Sequence, residues 1–397
     1  MAARCGASRP AGRGAVPPLL FGGFAVASIG GPLALTALFV PAVAGDAPGL
    51  STVIGIALFT APLAIWTGYS RRVSSGGGLA AFVESASTRP LALVQAGIWT
   101  VSYFLYLPYT VTYVVYDVLG VVFPGIASAR PALELLLPVG IVATVLAPLA
   151  ALLRAILVFA VAQLGLVLAL GGLTLANAGL PRESFTEGVA LDPSVRAGAA
   201  VGLLFVCASL PVFLGGEVEG GGRTVRLALP IAFGLVAGYV LLAVLPLAGV
   251  PDELREASLP GVAIAQAYGG RAFAVTIGLA AAASVTTLIV AEYLALSRLV
   301  HWASGIAVRR ALLVIAVPFV AADAISLIDP DRFYDDLLRP SLAALFLAQA
   351  IVVALYPWFL RRGRERIAPA AVAITLVATG LMAWGFYTVV AGSGAAT

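Results

Sequence analysis

Residues 18–43 read PLLFGGFAVASIGGPLALTALFVPAV, an uncharged apolar run interrupted near its centre by Ser28-Ile29-Gly30-Gly31-Pro32. About 20 apolar residues suffice to cross a bilayer as a helix, so this run is long enough to span. Glycine and proline in mid-helix release backbone N–H and C=O groups that lipid cannot satisfy, so an unwound segment is tolerated only where it lines a cavity or binds something. A second interruption, Ser209-Leu210-Pro211, follows at an offset of 179 inside the apolar run 197–218. The third and eighth apolar runs begin at Leu91 and Arg271, an offset of 180. Two groups of five spans at a constant interval predict an inverted repeat, because an odd number of helices per half turns the second half upside down. The repeat is one of hydropathy and helix breakers rather than of residue identity. Paired breaks point to a midplane site where half-helix N-termini present N–H groups to an anionic part of a solute and freed carbonyls face a cation.

The rest of the chain agrees with a polytopic membrane protein. Of its 397 residues 61% are hydrophobic and 11% charged, with a mean hydropathy of +1.04; a soluble globular chain would be nearer ~45–50% and ~25%. Eleven spans are predicted at about 18–43, 50–69, 91–122, 132–152, 155–180, 197–218, 227–249, 271–300, 309–328, 340–360 and 368–391, leaving no room for a large extramembrane domain. The organisation expected is a cytoplasmic tail at 1–17, a first five-helix repeat at 18–180, a second inverted one at 197–360 and an additional helix at 368–391. With the tail inside, 16 arginines fall on the cytoplasmic side and 7 outside, which is the positive-inside asymmetry. It places the C-terminus outside; the arginine-only, alanine-, glycine- and leucine-heavy composition suggests a GC-rich genome, and a bacterial inner membrane is the expected location. Ala42-Val43-Ala44 resembles a signal-peptidase site, but the preceding run is about twice the usual length and is broken, which argues against cleavage.

Composition also excludes chemistry. All 23 basic residues are arginine, so lysine-based Schiff-base and P-loop mechanisms are ruled out. Cys5 and Cys207 are too few for a disulfide framework or a four-ligand zinc site, and His301 stands alone. No histidine cluster, nucleophile–base pair or pair of carboxylates at a common depth lies in the spans, which disfavours a membrane-embedded enzyme. No catalytic residue, no cofactor, no nucleic-acid partner and no metal other than Na⁺ at a coupling site is expected.

Polar residues inside the spans supply the candidates. Trp99, Tyr103, Tyr106, Thr110, Tyr113 and Asp117 recur at spacings of 4 and 3 and share one helix face. Tyr103 and Tyr106, near mid-depth, would pack or gate a solute; Tyr113 and Asp117 would belong to an outer vestibule. Satisfaction of these hydroxyls by neighbouring helices is the alternative. Intramembrane acids are functional candidates by default: Asp323 and Asp117 are candidate protonation sites, Glu134 is read as solvated, and Glu292 as an ion-pair partner of Arg298 or part of an inner gate. Arg71, Arg72, Glu217, Glu219, Arg223, Arg226 and Arg298 cluster at cytoplasmic helix ends, either as gate ion pairs or as topology signals.

Three stretches resemble the amino acid–polyamine–organocation superfamily of transporters. Ala27-Ser28-Ile29-Gly30-Gly31 is similar to its G-S-x-I-G-S-G segment, with Pro32 in place of a glycine. Arg72-Val73-Ser74-Ser75-Gly76-Gly77-Gly78-Leu79 resembles its R-x-P-x-A-G-G-x element. Gly216-Glu217-Val218-Glu219-Gly220-Gly221-Gly222-Arg223-Thr224-Val225-Arg226 resembles its E-V-x-x-P-x-R-T-x-x-R signature. The resemblance spans roughly residues 18–390 and implies an all-α, LeuT-type 5+5 inverted repeat with discontinuous first and sixth helices. It implies a secondary transporter of an amino acid or related amine, working by alternating access with Na⁺ or H⁺ coupling, with a small-molecule substrate and a coupling cation as its partners in the lipid bilayer. In that reading Ser28, Ile29, Gly30 and Gly31 give backbone donors, while Phe205, Cys207, Ala208 and Ser209 form the facing wall; Cys207-Ala208-Ser209 replaces the Gly-Phe-Glu of many members. Ser284, Thr286 and Thr287 of the eighth helix would be coupling-ion ligands, as in sodium-coupled relatives. A non-transporting sensor or partner subunit keeping the same fold is the alternative.

Overall fold

A computed structural model describes residues 15–186 and 191–392. Most of the expected tail, with Cys5 and three of the arginines counted above, lies outside the described residues. The described chain is helical, apart from one isolated bridge between Val16 and Val218. Ten helices are long and apolar enough to cross a membrane: α1 (Pro18–Val43), α2 (Pro48–Tyr69), α3 (Arg89–Val122), α4 (Pro124–Val145), α5 (Leu149–Ala178), α6 (Asp192–Leu214), α7 (Gly222–Gly249), α8 (Pro260–Ser304), α10 (Pro330–Arg362) and α11 (Pro369–Ala391). The remaining predicted span forms α9 (Val308–Ser326). Arg309, Arg310 and Asp323 place three charges within its short length.

Contacts repeat under a shift of five helices, as an inverted repeat requires. α1 packs on α7 as α6 packs on α2; α3 packs on α10 as α8 packs on α5; α3 touches α9 as α8 touches α4. The discontinuous α1 lies at the centre of the bundle and also contacts α5 and α8. α4, α5 and α11 bury least of their surface, and their apolar outer faces, Val158 and Leu376 among them, suit contact with lipid chains.

Several predicted boundaries move, each for a local reason. The α4–α5 turn falls at Leu146–Pro148 rather than at Arg154, because Pro148 cannot continue a helix whereas an arginine one turn inside α5 remains exposed. α8 begins at Pro260, and the membrane segment expected from Arg271 is set off by a non-helical Gly270 at φ 79°. α10 starts ten residues before the predicted 340, with Asp329 Oδ1 accepting from Arg332 N at 3.2 Å and Pro330 in the first turn.

One tight helix crossing is built from glycine on both sides. A Cβ on Gly55 of α2 would lie 2.7 Å from the Gly198 carbonyl oxygen and 2.8 Å from Gly202 N of α6. This small-residue pairing, with Gly198 and Gly202 four apart, lets two backbones approach without a side chain between them. Gly55→Leu is therefore expected to destabilise the protein by about 1–3 kcal/mol, read as a lowered midpoint of thermal unfolding in detergent. An unchanged midpoint would mean that the crossing is slack.

Candidate functional site

α1 stops at Ser28, unwinds through Gly30 and Gly31, both at positive φ (63° and 65°), and restarts at Pro32. Gly31 is required twice over, since a Cβ there would also sit 2.5 Å from Ser284 Oγ. The restarted helix exposes N–H groups with no intrahelical acceptor. Leu33 N donates to Gln163 Oε1 of α5 at 3.5 Å, Ala34 N donates to Ser284 Oγ of α8 at 3.4 Å, and Ser284 Oγ donates to the same Gln163 Oε1 at 2.5 Å. Gln163 Nε2 is buried without a partner.

The second interruption is not at Ser209-Leu210-Pro211. α6 turns at Leu204–Phe205, where Leu204 N and Phe205 N bond three residues back, to Val201 O and Gly202 O, and the chain then runs as a 3₁₀-helix from Val206 to Leu214 straight through Pro211. Ser209 is absorbed into that segment: its hydroxyl donates to Val206 O at 3.1 Å and accepts from Gln349 Nε2 at 2.9 Å.

Between the two interruptions lies a cavity of about 280 Å³, lined by Gly30 and Phe39 of α1, Tyr106, Tyr109, Thr110 and Tyr113 of α3, Leu203, Leu204, Val206 and Cys207 of α6, Leu288 of α8, and Tyr334 and Phe346 among the α10 residues. Its rings form one connected cluster. Tyr106–Tyr109 centroids are 4.9 Å apart, Tyr109–Tyr334 5.5 Å, Tyr113–Tyr334 6.1 Å and Phe39–Tyr113 6.0 Å. No charged side chain lines it. Beneath it, Glu292 of α8 is fully buried, with Oε1 3.8 Å from Cys207 Sγ and Oε2 without a partner. Tyr113 and Tyr334 also line a second pocket of about 240 Å³ that holds Asp117, Asp331 and Asp335, so their stacked rings separate the cavity from an acidic vestibule.

The expected site residues are therefore brought together only in part. Gly30, Tyr106 and Cys207 line the cavity, and Gly31 supports it against Ser284. Ser28 bonds back to Phe24 O at 2.7 Å, and Ile29 and Ala208 are buried away from the cavity. Phe205 turns outward to pack against Phe59 and Phe233 at 5.8 and 5.3 Å. Tyr103 lies deeper, stacked on Trp99 at 4.0 Å, its hydroxyl without a partner. Thr286 and Thr287 do not join Ser284 at the α1 break; their hydroxyls donate to Ala282 O and Ala283 O, and they line a lateral groove with Thr144 and Phe159. Asp117 is exposed in the vestibule. Asp323 is buried with neither carboxyl oxygen partnered, a turn from Ser326, which donates to Glu134 Oε1 at 2.7 Å. Glu134, expected to be solvated, is buried in that cluster and also accepts from Thr112 at 2.5 Å. Tyr109 and Tyr334 carry no signal in the sequence pattern; the Asp329-Pro330 helix start is the available cue for the second.

At the end of the bundle away from the vestibule stands one clear ion pair. Arg298 donates to Glu217 through Nε at 2.9 Å and Nη2 at 3.3 Å, not to Glu292, which lies six residues earlier on another face. Val16 N donates to Glu217 O at 2.8 Å, tying the chain ahead of α1 to the same spot. Arg72 pairs with Glu365, while Arg89 pairs with Glu84 and stacks over Trp302 at 3.7 Å.

No protein-family model matches the sequence, and no curated protein matches it. Solved structures do resemble the fold. A mutant form of the manganese transporter of Eremococcus coleocola superimposes with a TM-score of 0.59 at 11% identity over 94% of this chain and 89% of that one. MhsT in complex with L-phenylalanine superimposes with a TM-score of 0.63 at 14% identity over 98% of this chain and 100% of that one. The all-helical, LeuT-type fold expected from the sequence is the one the chain has.

If the Tyr113–Tyr334 pair separates vestibule from cavity, Tyr334→Ala will speed alkylation of Cys207 by a maleimide several-fold. The measurement is made in a Cys5→Ser background. An unchanged rate would remove the partition.

Proposed function

We propose that this protein is a secondary transporter of the amino acid–polyamine–organocation type, carrying an amino acid or related amine by alternating access through the cavity between the α1 and α6 interruptions. The observation that carries this reading is a ring-lined cavity at the crossing of two discontinuous helices, with an ion pair at one end and an aromatic pair at the other. Irregular backbone at membrane depth belongs where it lines such a cavity. In this reading α1, α2, α6 and α7 rock against α3, α4, α8 and α9. The Arg298–Glu217 contact breaks when the inner side opens, and the stacked tyrosines part when the outer side opens. The N-terminus is cytoplasmic and the C-terminus outside, in a bacterial inner membrane.

Coupling is to Na⁺ or H⁺. Ser284, beside the α1 break, is the residue that supports a cation ligand there; Thr286 and Thr287, facing the lateral groove, lend that role no support. Asp323, buried with free carboxyl oxygens near Glu134, supports a protonation site in the scaffold.

The deciding measurement is uptake of a labelled amino acid and amine panel into proteoliposomes under a sodium or a proton gradient. Gradient-driven accumulation that collapses with an ionophore is expected. Ligand-dependent thermal stabilisation with no flux would instead leave a sensor or partner subunit. Under a proton gradient, Asp323→Asn is expected to flatten the pH dependence of uptake; an unaltered profile in Asp323→Asn would remove that residue from coupling.

A further inference from the structure

Resting on the transporter reading, we infer that the solute is an organic cation without a carboxylate, held in the ring cluster with Glu292 as its counter-charge. The cavity of about 280 Å³ lies at the lower end of the range of small-molecule sites. Three independent features set the sign of the solute's charge.

The first is the lining. Ring faces carry negative quadrupole density and attract a cation within about 6 Å of the centroid. Tyr106, Tyr109, Tyr113, Tyr334 and Phe39 present five such rings around one space. Tyrosine hydroxyls donate or accept and so do not by themselves choose a charge.

The second is the disposition of donors and acceptors. A carboxylate would need the N–H groups of the restarted α1 helix or a basic side chain. Leu33 N and Ala34 N are already committed to Gln163 and Ser284, and no arginine or histidine lines the cavity. Glu292 provides the reverse. Leu288, one turn earlier on the same face of α8, and Cys207 both line the cavity, and Glu292 lies directly behind the Cys207 thiol with one oxygen unpartnered. A carboxyl group held in a low-dielectric interior either keeps its proton or takes a positive partner, and a cation seated against it would supply the second. Arg298, the one buried base among the described residues, is taken by Glu217.

The third is the approach. The vestibule that shares Tyr113 and Tyr334 with the cavity is lined by Asp117, Asp331 and Asp335 and by no basic residue. Acidic lining of this kind raises the local concentration of cations.

The test uses purified full-length protein and small organic probes that differ in charge: the cations phenethylamine and choline, zwitterionic L-phenylalanine, and anionic phenylpropionate. Calorimetry is expected to rank at least one cation above L-phenylalanine and L-phenylalanine above phenylpropionate. Glu292→Gln is expected to weaken cation binding by about thirtyfold or more, the scale of removing one member of a buried charge pair, and to leave L-phenylalanine within a few-fold. Glu292→Asp keeps the charge and should keep the preference. Should Glu292→Gln fail to yield monodisperse protein, Tyr334→Leu against Tyr334→Phe substitutes: loss of the ring should weaken the cation selectively, and loss of the hydroxyl should not. L-phenylalanine binding as tightly as the cations, cation affinity unchanged in folded Glu292→Gln or in Tyr334→Leu, or no binding of any probe overturns the inference. Flux separates the two readings. Glu292-dependent cation binding without proteoliposome uptake removes transport and leaves the cation site; Glu292-independent uptake of L-phenylalanine does the opposite.

Discussion

The structure depends on how the backbone released at Gly30-Gly31 is satisfied. In the bilayer interior each unmet N–H or C=O costs several kcal/mol, so a helix break is stable only if side chains from other helices reach it. Gln163 of α5 and Ser284 of α8 do so, and they bond to each other as well as to Leu33 and Ala34. The consequence is geometric. Half of α1 is tied to two helices of different groups, and the absence of a side chain on Gly31 allows α8 to approach within contact of the turn. Gly30, one residue earlier, is left facing the cavity. The space for a solute thus follows from where the backbone could be repaired.

Contacts at the two ends of the cavity rest on different physics. The Arg298–Glu217 pair is bidentate, but Glu217 is 37% exposed while Arg298 is 5% exposed, so solvent already competes for the acid and the pair can part without stranding two desolvated charges. The Tyr113–Tyr334 pair buries ring area without a committed hydrogen bond between the rings, and α3 there carries a π-helical turn from Tyr113 to Val118. Such turns mark places where helical register is locally loosened and recur at functional sites. One end is held by a reversible charge contact and the other by a ring on a relaxed turn.

The legibility of the site follows the kind of signal each part leaves in sequence. The α1 break is readable because it is made by glycine and proline, which are backbone instructions. The α6 turn lies about five residues before the expected position because Leu204 and Phe205 carry no such instruction; there the helix simply tightens to three-residue bonding, and Pro211 fits the 3₁₀ segment that follows. The α3 stripe is readable from its spacing, yet which tyrosines reach the cavity depends on depth, so Tyr103 falls below the cavity and Tyr109, off the stripe, lines it. Tyr334 lies among Asp329, Asp331, Asp335 and Asp336, a run whose charge reads as loop although Asp329 caps a helix there. Thr286 and Thr287 adjoin Ser284 in sequence, but only Ser284 faces α1; a hydroxyl's direction around a buried helix is a property of its neighbours.

The charge distribution joins these observations. Four charged side chains are fully or nearly fully buried among the described residues: Glu134, Glu292, Asp323 and Arg298. Three are acids and one is a base, and the base is engaged by Glu217 at the inner end. Glu134 has two hydroxyl donors on one oxygen, whereas Asp323 has none and Glu292 has only a thiol. The chain contains no lysine, and among the described residues no arginine other than Arg298 is buried. The protein therefore cannot neutralise its own interior acids, and the positive charge they require must arrive from outside the polypeptide, as a proton or as a bound cation. A helical bundle kept only for its packing would gain by replacing such groups with apolar side chains of similar volume. Retaining Glu292 behind a ring-lined cavity is instead the arrangement of a protein whose occupant completes its electrostatics.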